Sequence, residues 1–379
     1  MRLKLLLLLV FSFLLACKEE SKNKEEKEEK NIVFTEIKYA TGFEIANYEG
    51  YKILKVNSPW ANAEQTFTYL LIEDQNAVPE NITYDEKITL PIDKLVVTST
   101  THIPSLESLG QLNTLVGFPH TDYISSEKAR QLIRENKIKE IGAGQTINTE
   151  VLLALQPQAV IASAVNGDEK SYKTVQKSGI PIIYNGDWTE EHPLGKAEWI
   201  KFFGTLYNQE KLADSIFKKI ETNYRIAKAT AKNTEDNPSV LSGGLYQNTW
   251  YCPQGNSWQA QFIADASGDY IFKHTEGTGS LSLSFENVFE NGKTADIWIS
   301  PGVYASYDEM KTASQHYQKF DAFQNKNVYT VTETKGETGG LLFYELAPNR
   351  PDLVLIDLIK IFHPELYQDQ PLTFFKPLE

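Results

Sequence analysis

From residue 93 onward, apolar residues come in short continuous runs that alternate with stretches where they recur every three or four positions. Leu95, Val96 and Val97 form the first run, followed by a polar loop and a helix that Pro104 opens and Gly110 closes. "NTLVGF" reads as the next strand, and "SSEKARQLIRENK" as a helix whose Ser125 or Ser126 accepts the first free amide protons. The rhythm continues with strand "EIGAG", helix "NTEVLLALQ", strand "QAVIAS", helix "EKSYKTVQKSG" and strand "IPIIYNG". Such alternation predicts a parallel sheet covered on both faces. Residues 193–232 carry almost no strand signal; Leu212, Ile216, Phe217, Ile220 and Tyr224 mark one stripe of a helix of about six turns, long enough to cross between two lobes. After Pro238 the strand and helix rhythm returns, from "PSVLSGGLY" to the closing helix "PDLVLIDLIKIF". Upstream, "YKILKV" and "FTYLLIE" alternate apolar and polar positions, as in an antiparallel extension.

The expected fold class is therefore α/β: two lobes with parallel sheets joined by one long helix, plus an N-terminal β extension. The boundaries read as a signal segment at 1–17, a tether at 18–30, the extension at 31–92, a first lobe at 93–192, a helical segment at 193–237 and a second lobe at 238–379. Arg2 and Lys4 precede "LLLLLVFSFLLA", too short a run to span a bilayer comfortably and placed like a signal-peptide core. It ends in Leu14, Leu15, Ala16 and Cys17, which is similar to the bacterial lipobox and marks Cys17 for lipidation; an uncleaved anchor or plain signal peptide is the alternative. The charged run "KEESKNKEEKEEK" then reads as a solvated tether. Its Lys18, Glu19 and Glu20 also resemble a surface-export signal of some lipoproteins, so the periplasmic face and the cell surface both stay open. Cys252, the only other cysteine, predicts no internal disulfide. A net charge of −13 argues against nucleic-acid binding, because phosphate neutralisation needs clustered cations.

Two stretches share one arrangement. In "NTEVLLALQPQAVIAS" and "SFENVFENGKTADIWIS", Asn148 or Ser284 stands two positions before Glu150 or Glu286, and each helix is followed by an apolar strand. Either acid gains about 0.3–1 kcal/mol from the positive end of its helix. Chance placement for that reason is one reading; equivalent outward carboxylates, one per lobe, is the other.

With "TSTTHIPSLESLG" and "NRPDLVLIDLIKIFHPEL", these segments resemble the helical-backbone substrate-binding proteins of ABC importers for ferric siderophores, haem and cobalamin, over about residues 93–370. The resemblance implies two Rossmann-like lobes, a ligand between them, no enzymatic activity and no resident cofactor. It also implies an iron chelate or other metal-containing chelate as ligand, a lipid-anchored monomer at the membrane, and an ABC permease as partner. In that family one glutamate per lobe docks onto permease arginines, and the matching positions are Glu150 and Glu286. Glu107 also matches a family position, where a structural role is expected.

Ligand is expected beside loops at the carboxyl ends of the strands. The candidate contacts are His102, Tyr123 and Trp188 from the first lobe, and Tyr246, Trp250, Trp258, Tyr304, Tyr307 and Arg350 from the second. Rings can stack on a flat chelate while hydroxyls meet its rim, although burial in the local core explains each aromatic equally well. Arg350 before Pro351 could face an anionic chelate or form an ordinary ion pair. Gly144, Ser163 and Ser280 stand where corrinoid binders of the family carry aromatic rings, which weighs against cobalamin. Six histidines without ligand spacing weigh against bare Zn²⁺ or Mn²⁺. "GAGQTI" imitates a dinucleotide fingerprint, but Ile147 replaces its third glycine. A scavenger lipoprotein that works without a permease remains the sharper rival.

Overall fold

The computed structural model describes residues 32–143, 146–166 and 170–379; Cys17, the tether and Gly144 lie outside them. In the first lobe the strands Leu95–Val97, Leu115–Phe118, Lys139–Glu140, Ala159–Ala162 and Ile182–Tyr184 form one sheet. All its pairings are parallel, with Leu95–Val97 between Ala159–Ala162 and Leu115–Phe118. Leu95, Val96 and Val97 are wholly buried, as a strand covered on both faces requires. The second lobe repeats this with Ser239–Ser242, Asp269–Tyr270, Ile297–Ile299 and Val328–Thr330 in parallel, closed by an antiparallel edge at Lys376–Pro377. The α/β expectation of two lobes with parallel sheets therefore holds.

The segment 246–258, whose glycine, proline and amides suggest a loop at the cleft, differs. Gly244–Tyr246, Thr249–Pro253 and Ser280–Leu283 make a separate antiparallel three-stranded sheet. Along its middle strand Trp250 and Cys252 are buried while Tyr251 is exposed, which is the period-two alternation of a half-buried strand.

Glu210–Ala231 is the inter-lobe helix, 22 residues long, hence about 33 Å at 1.5 Å per residue. It buries Ala213, Phe217, Ile220, Tyr224, Ala227 and Ala231 and packs against Ile200–Leu206 and Pro351–Phe362. Leu212, expected on this stripe, is exposed; Ala213 takes the inward place because the two helices close tightly there. A Cβ on Gly204 would lie 2.5 Å from that of Ala213. The Tyr224 hydroxyl donates to Asp265 at 2.7 Å, tying the helix to the second lobe.

Residues 33–89 form a five-stranded sheet whose last pair is parallel, not antiparallel as its alternation suggested. Two buried carboxylates, Glu190 at the end of the first lobe and Glu198 in the helical segment, make its junction with the rest of the chain. Glu198 accepts from the backbone N–H groups of Lys38, Tyr39 and Ala40 at 2.6–3.0 Å and from Lys201 Nζ at 2.9 Å. Glu190 accepts from Thr41 N, Gly42 N and Trp199 Nε1 at 2.9–3.0 Å. Phe43 packs on Trp199 at 4.6 Å beside them.

The lobes meet at residues 336–349. Glu345 accepts from Ser125 N at 2.6 Å and Ser126 N at 2.9 Å, and Ser125 Oγ donates to the Gly340 carbonyl at 2.9 Å. Gly340 is required here, since a Cβ would approach the Tyr123 carbonyl to 2.3 Å. Asn349 adds bonds of 2.8 Å to Ser105 and to the Thr101 carbonyl. Burial pushes the Glu345 carboxyl up to about 7 against the pull of its two N–H donors, and Glu107 adds to the push.

Glu198→Ala leaves three backbone N–H groups without their acceptor and takes the buried anion from Lys201, which keeps the Glu36 carbonyl at 2.7 Å, and should lower stability by about 3–5 kcal/mol in urea unfolding. For Glu345 the docked state holds its proton more tightly than an exposed glutamate. Docking is thus fully favoured below the ordinary carboxyl range and weakens as pH rises through about 7. Between pH 5 and 8 thermal stability should fall by an amount on the order of 2 kcal/mol that Glu345→Gln removes.

Candidate functional site in the inter-lobe cleft

The strands Leu95–Val97 and Leu115–Phe118 deliver the loops at their carboxyl ends to the cleft, where open α/β sheets place ligands. Thr98, Ser99 and Thr100 from one, and Pro119 and His120 from the other, face Gly339, Gly340, Leu341 and Tyr344 of the second lobe across a hollow of about 570 Å³. Tyr344 also borders a second hollow of about 380 Å³, lined by Ser242, Gly243, Ser300, Gly302, Tyr304, Tyr246 and Tyr251. The shared ring makes the two hollows neighbours. His120 and Ser300 each carry φ of 52° just past a core strand, one in each lobe. Non-glycine residues held in that region store strain, and here both border the cleft.

Tyr123, Tyr246 and Tyr344 are each more than 60% exposed, so their rings and hydroxyls are available. The Tyr123 ring lies 5.1 Å from that of His120. Thr98 Oγ1 accepts from Ser163 N at 2.9 Å and from the Tyr172 hydroxyl at 3.1 Å, which orients its own proton away from both.

Three of the nine contacts expected from sequence, Tyr123, Tyr246 and Tyr304, line these hollows. His102 does not. The helix starts there rather than at Pro104, which is tolerated in the first turn, and the imidazole is wholly buried against Phe203, its pKa lowered by desolvation. Trp250 is a core residue stacked on Trp298 at 5.3 Å. Tyr307 is buried as well, with its hydroxyl accepting from Val328 N at 3.2 Å. Arg350 forms a two-pronged pair with Asp352, both bonds 2.8 Å, the setting of an ordinary ion pair, and lines neither of these hollows. Trp258 is half-buried between Phe262 and Phe343, and Trp188 donates to the Ala164 carbonyl at 3.2 Å; neither lines a hollow. Sequence reasoning missed Tyr251 and Tyr344. The second sits in "LLFYELAP", whose apolar neighbours read as core.

Glu150 and Glu286 are exposed in the first turns of Thr149–Leu155 and Phe285–Gly292. Asn148 and Ser284 cap these helices by accepting from Val151 N and Asn287 N, each at 3.2 Å. The two helices lead into Ala159–Ala162 and Ile297–Ile299, each paired in parallel with the first strand of its lobe. A helix feeding a parallel strand runs antiparallel to it, so both acids stand toward the carboxyl edge of their sheets, the edge that opens onto the cleft. Its own N–H and the Ser284 hydroxyl hold the Glu286 carboxyl below its ordinary range. Glu107 accepts from Ser126 Oγ at 2.7 Å and pairs with Lys128 at 3.0 Å, a structural setting.

Comparison with known proteins gives the arrangement its place. A periplasmic heme binding protein from Pseudomonas aeruginosa superposes with a TM-score of 0.57 at 16% identity, over 76% of this chain and 98% of that one. A possible iron-binding (periplasmic solute-binding) protein from Staphylococcus epidermidis gives a TM-score of 0.56 at 17% identity, over 72% of this chain and 99% of that one. An uncharacterized lipoprotein from Methanocaldococcus jannaschii is 27% identical over 297 residues, 76% of this chain and 69% of its own length. The sequence profile of the family described as periplasmic binding protein matches residues 95–334, from the first core strand of one lobe to just short of the inter-lobe seam of the other. The chain belongs to this family, in its two-lobed form with a long connecting helix.

Proposed function

We propose that this protein is the lipid-anchored substrate-binding component of an ABC importer, that it captures a metal chelate, a ferric siderophore first among them, and that it hands this chelate to a membrane permease. The observation that carries the reading is the pair of adjoining hollows where the carboxyl ends of both parallel sheets converge, bordered by Tyr123, Tyr246, Tyr304 and Tyr344. Rings at the rim can lie against an organic ligand shell while their hydroxyls meet its polar atoms. The stiff helix Glu210–Ala231 and the seam at Glu345 limit how far the lobes can swing, so capture needs little hinge closure. Delivery falls to Glu150 and Glu286. Exposed carboxylates at equivalent places in two lobes can form charge-assisted pairs with permease arginines on contact. Cys17, once acylated, would hold the protein at the envelope; among the described residues no helix is long and apolar enough to cross a membrane.

Fluorescence titration against ferric siderophores, haem and cobalamin should show saturable binding of at least one iron chelate, and silence across the panel rejects the reading. Tyr344→Ala should weaken that binding about tenfold, the loss of one stacking ring in a partly wet site. The double variant Glu150→Lys, Glu286→Lys should bind with unchanged affinity yet carry no chelate into cells. Normal uptake by that variant would refute docking through these acids.

A further inference from the structure

The two hollows are bordered by hydroxyls, rings, glycines and one imidazole, and no Lys, Arg, Asp or Glu is among the described residues that line them. Residues 144–145 and 167–169, outside the described residues, contain no Lys or Arg in their sequence. Arg130 is close along the fold, but its Nη1 donates to the Thr121 carbonyl at 2.6 Å and its Nη2 faces Asp122 at 3.8 Å. Of the other cations near the seam, Arg350 is held by Asp352 on a different cavity, Arg134 is paired with Glu337, and Lys335 lies 3.6 Å from the Glu333 carboxylate. The chain as a whole carries −13.

From this lining, and resting on the reading of the cleft as a chelate site, we infer that the ligand is an electrically neutral or cationic chelate whose rim presents oxygen acceptors, and that polyanionic chelates are excluded. An anion entering these hollows loses hydration without meeting a cation, and the field of an acidic protein opposes its approach. A neutral complex avoids both penalties. The hydroxyls of Thr98, Ser99, Thr100, Tyr123 and Tyr344 can donate to carbonyl or hydroxamate oxygens at its rim. A single positive charge is tolerated for the same reason, since tyrosine faces attract cations. Neutral ferric trihydroxamates have this chemistry; ferric tris-catecholates, trianionic and of similar size, do not.

The test is competitive binding to the full chain of three probes: ferrichrome, neutral; ferrioxamine B, monocationic; and ferric enterobactin, trianionic. The neutral and cationic complexes should bind at least about 100-fold more tightly than the trianion. Leu341→Arg, which places a cation on the lining, should narrow that ratio at least about tenfold. Thr100→Lys makes the same test on the opposite wall should the first variant fold poorly. Equal or tighter binding of the trianion by the wild-type protein overturns the charge inference while leaving the chelate reading intact. So does a ratio that neither added cation moves. If none of the three binds while haem or another ferric chelate of the panel does, the charge inference fails alone; if no chelate binds at all, the chelate reading fails and the inference falls with it.

Discussion

A carboxylate taken out of water needs a cation or several N–H donors, and at the seams of this molecule the donors are mostly backbone amides. Glu190 and Glu198 hold the N-terminal extension to the rest of the chain in this way, and Glu345 holds lobe to lobe. Asp357 does the same for the C-terminal tail, accepting from the N–H groups of Thr373, Phe374 and Phe375. Each of these bonds fixes chain direction as well as position, because it captures consecutive amides of a segment that has no ladder partner at that point. The cleft inherits its shape from them. Gly340 and Tyr344 border the hollow because Glu345, beside them in sequence, is fixed to Ser125 and Ser126.

The lobes, the long helix and the equivalence of Glu150 with Glu286 were legible because they rest on periodicity and capping, which act within a few residues. What escaped was decided by partners far along the chain. His102 sits in a loop-like string, "TSTTHIP", yet the helix begins at it and turns the ring toward Phe203. Trp250 lies among glycine, proline and amides, but the pairing with Ser280–Leu283 makes its segment a strand and faces the indole inward. Tyr344 shows the reverse: apolar neighbours suggest core, while the seam at Glu345 leaves the ring exposed in the cleft. The cleft loops could be read from the sequence; which of their side chains face the hollow could not, because that depends on the opposite lobe.

Energetically the cleft contrasts with these seams. The seams concentrate charge and satisfy it internally, whereas the hollows offer dipoles and rings without net charge. That division lets selectivity toward small molecules vary by single substitutions on the lining without touching the contacts that keep the lobes in register.

The N-terminal extension attaches to the helical block through Glu198, and to the first lobe through Glu190 and the Tyr69 hydroxyl, which accepts from Tyr184 N at 2.9 Å. A pull applied at residue 32 is therefore shared between the spine of the molecule and its first lobe.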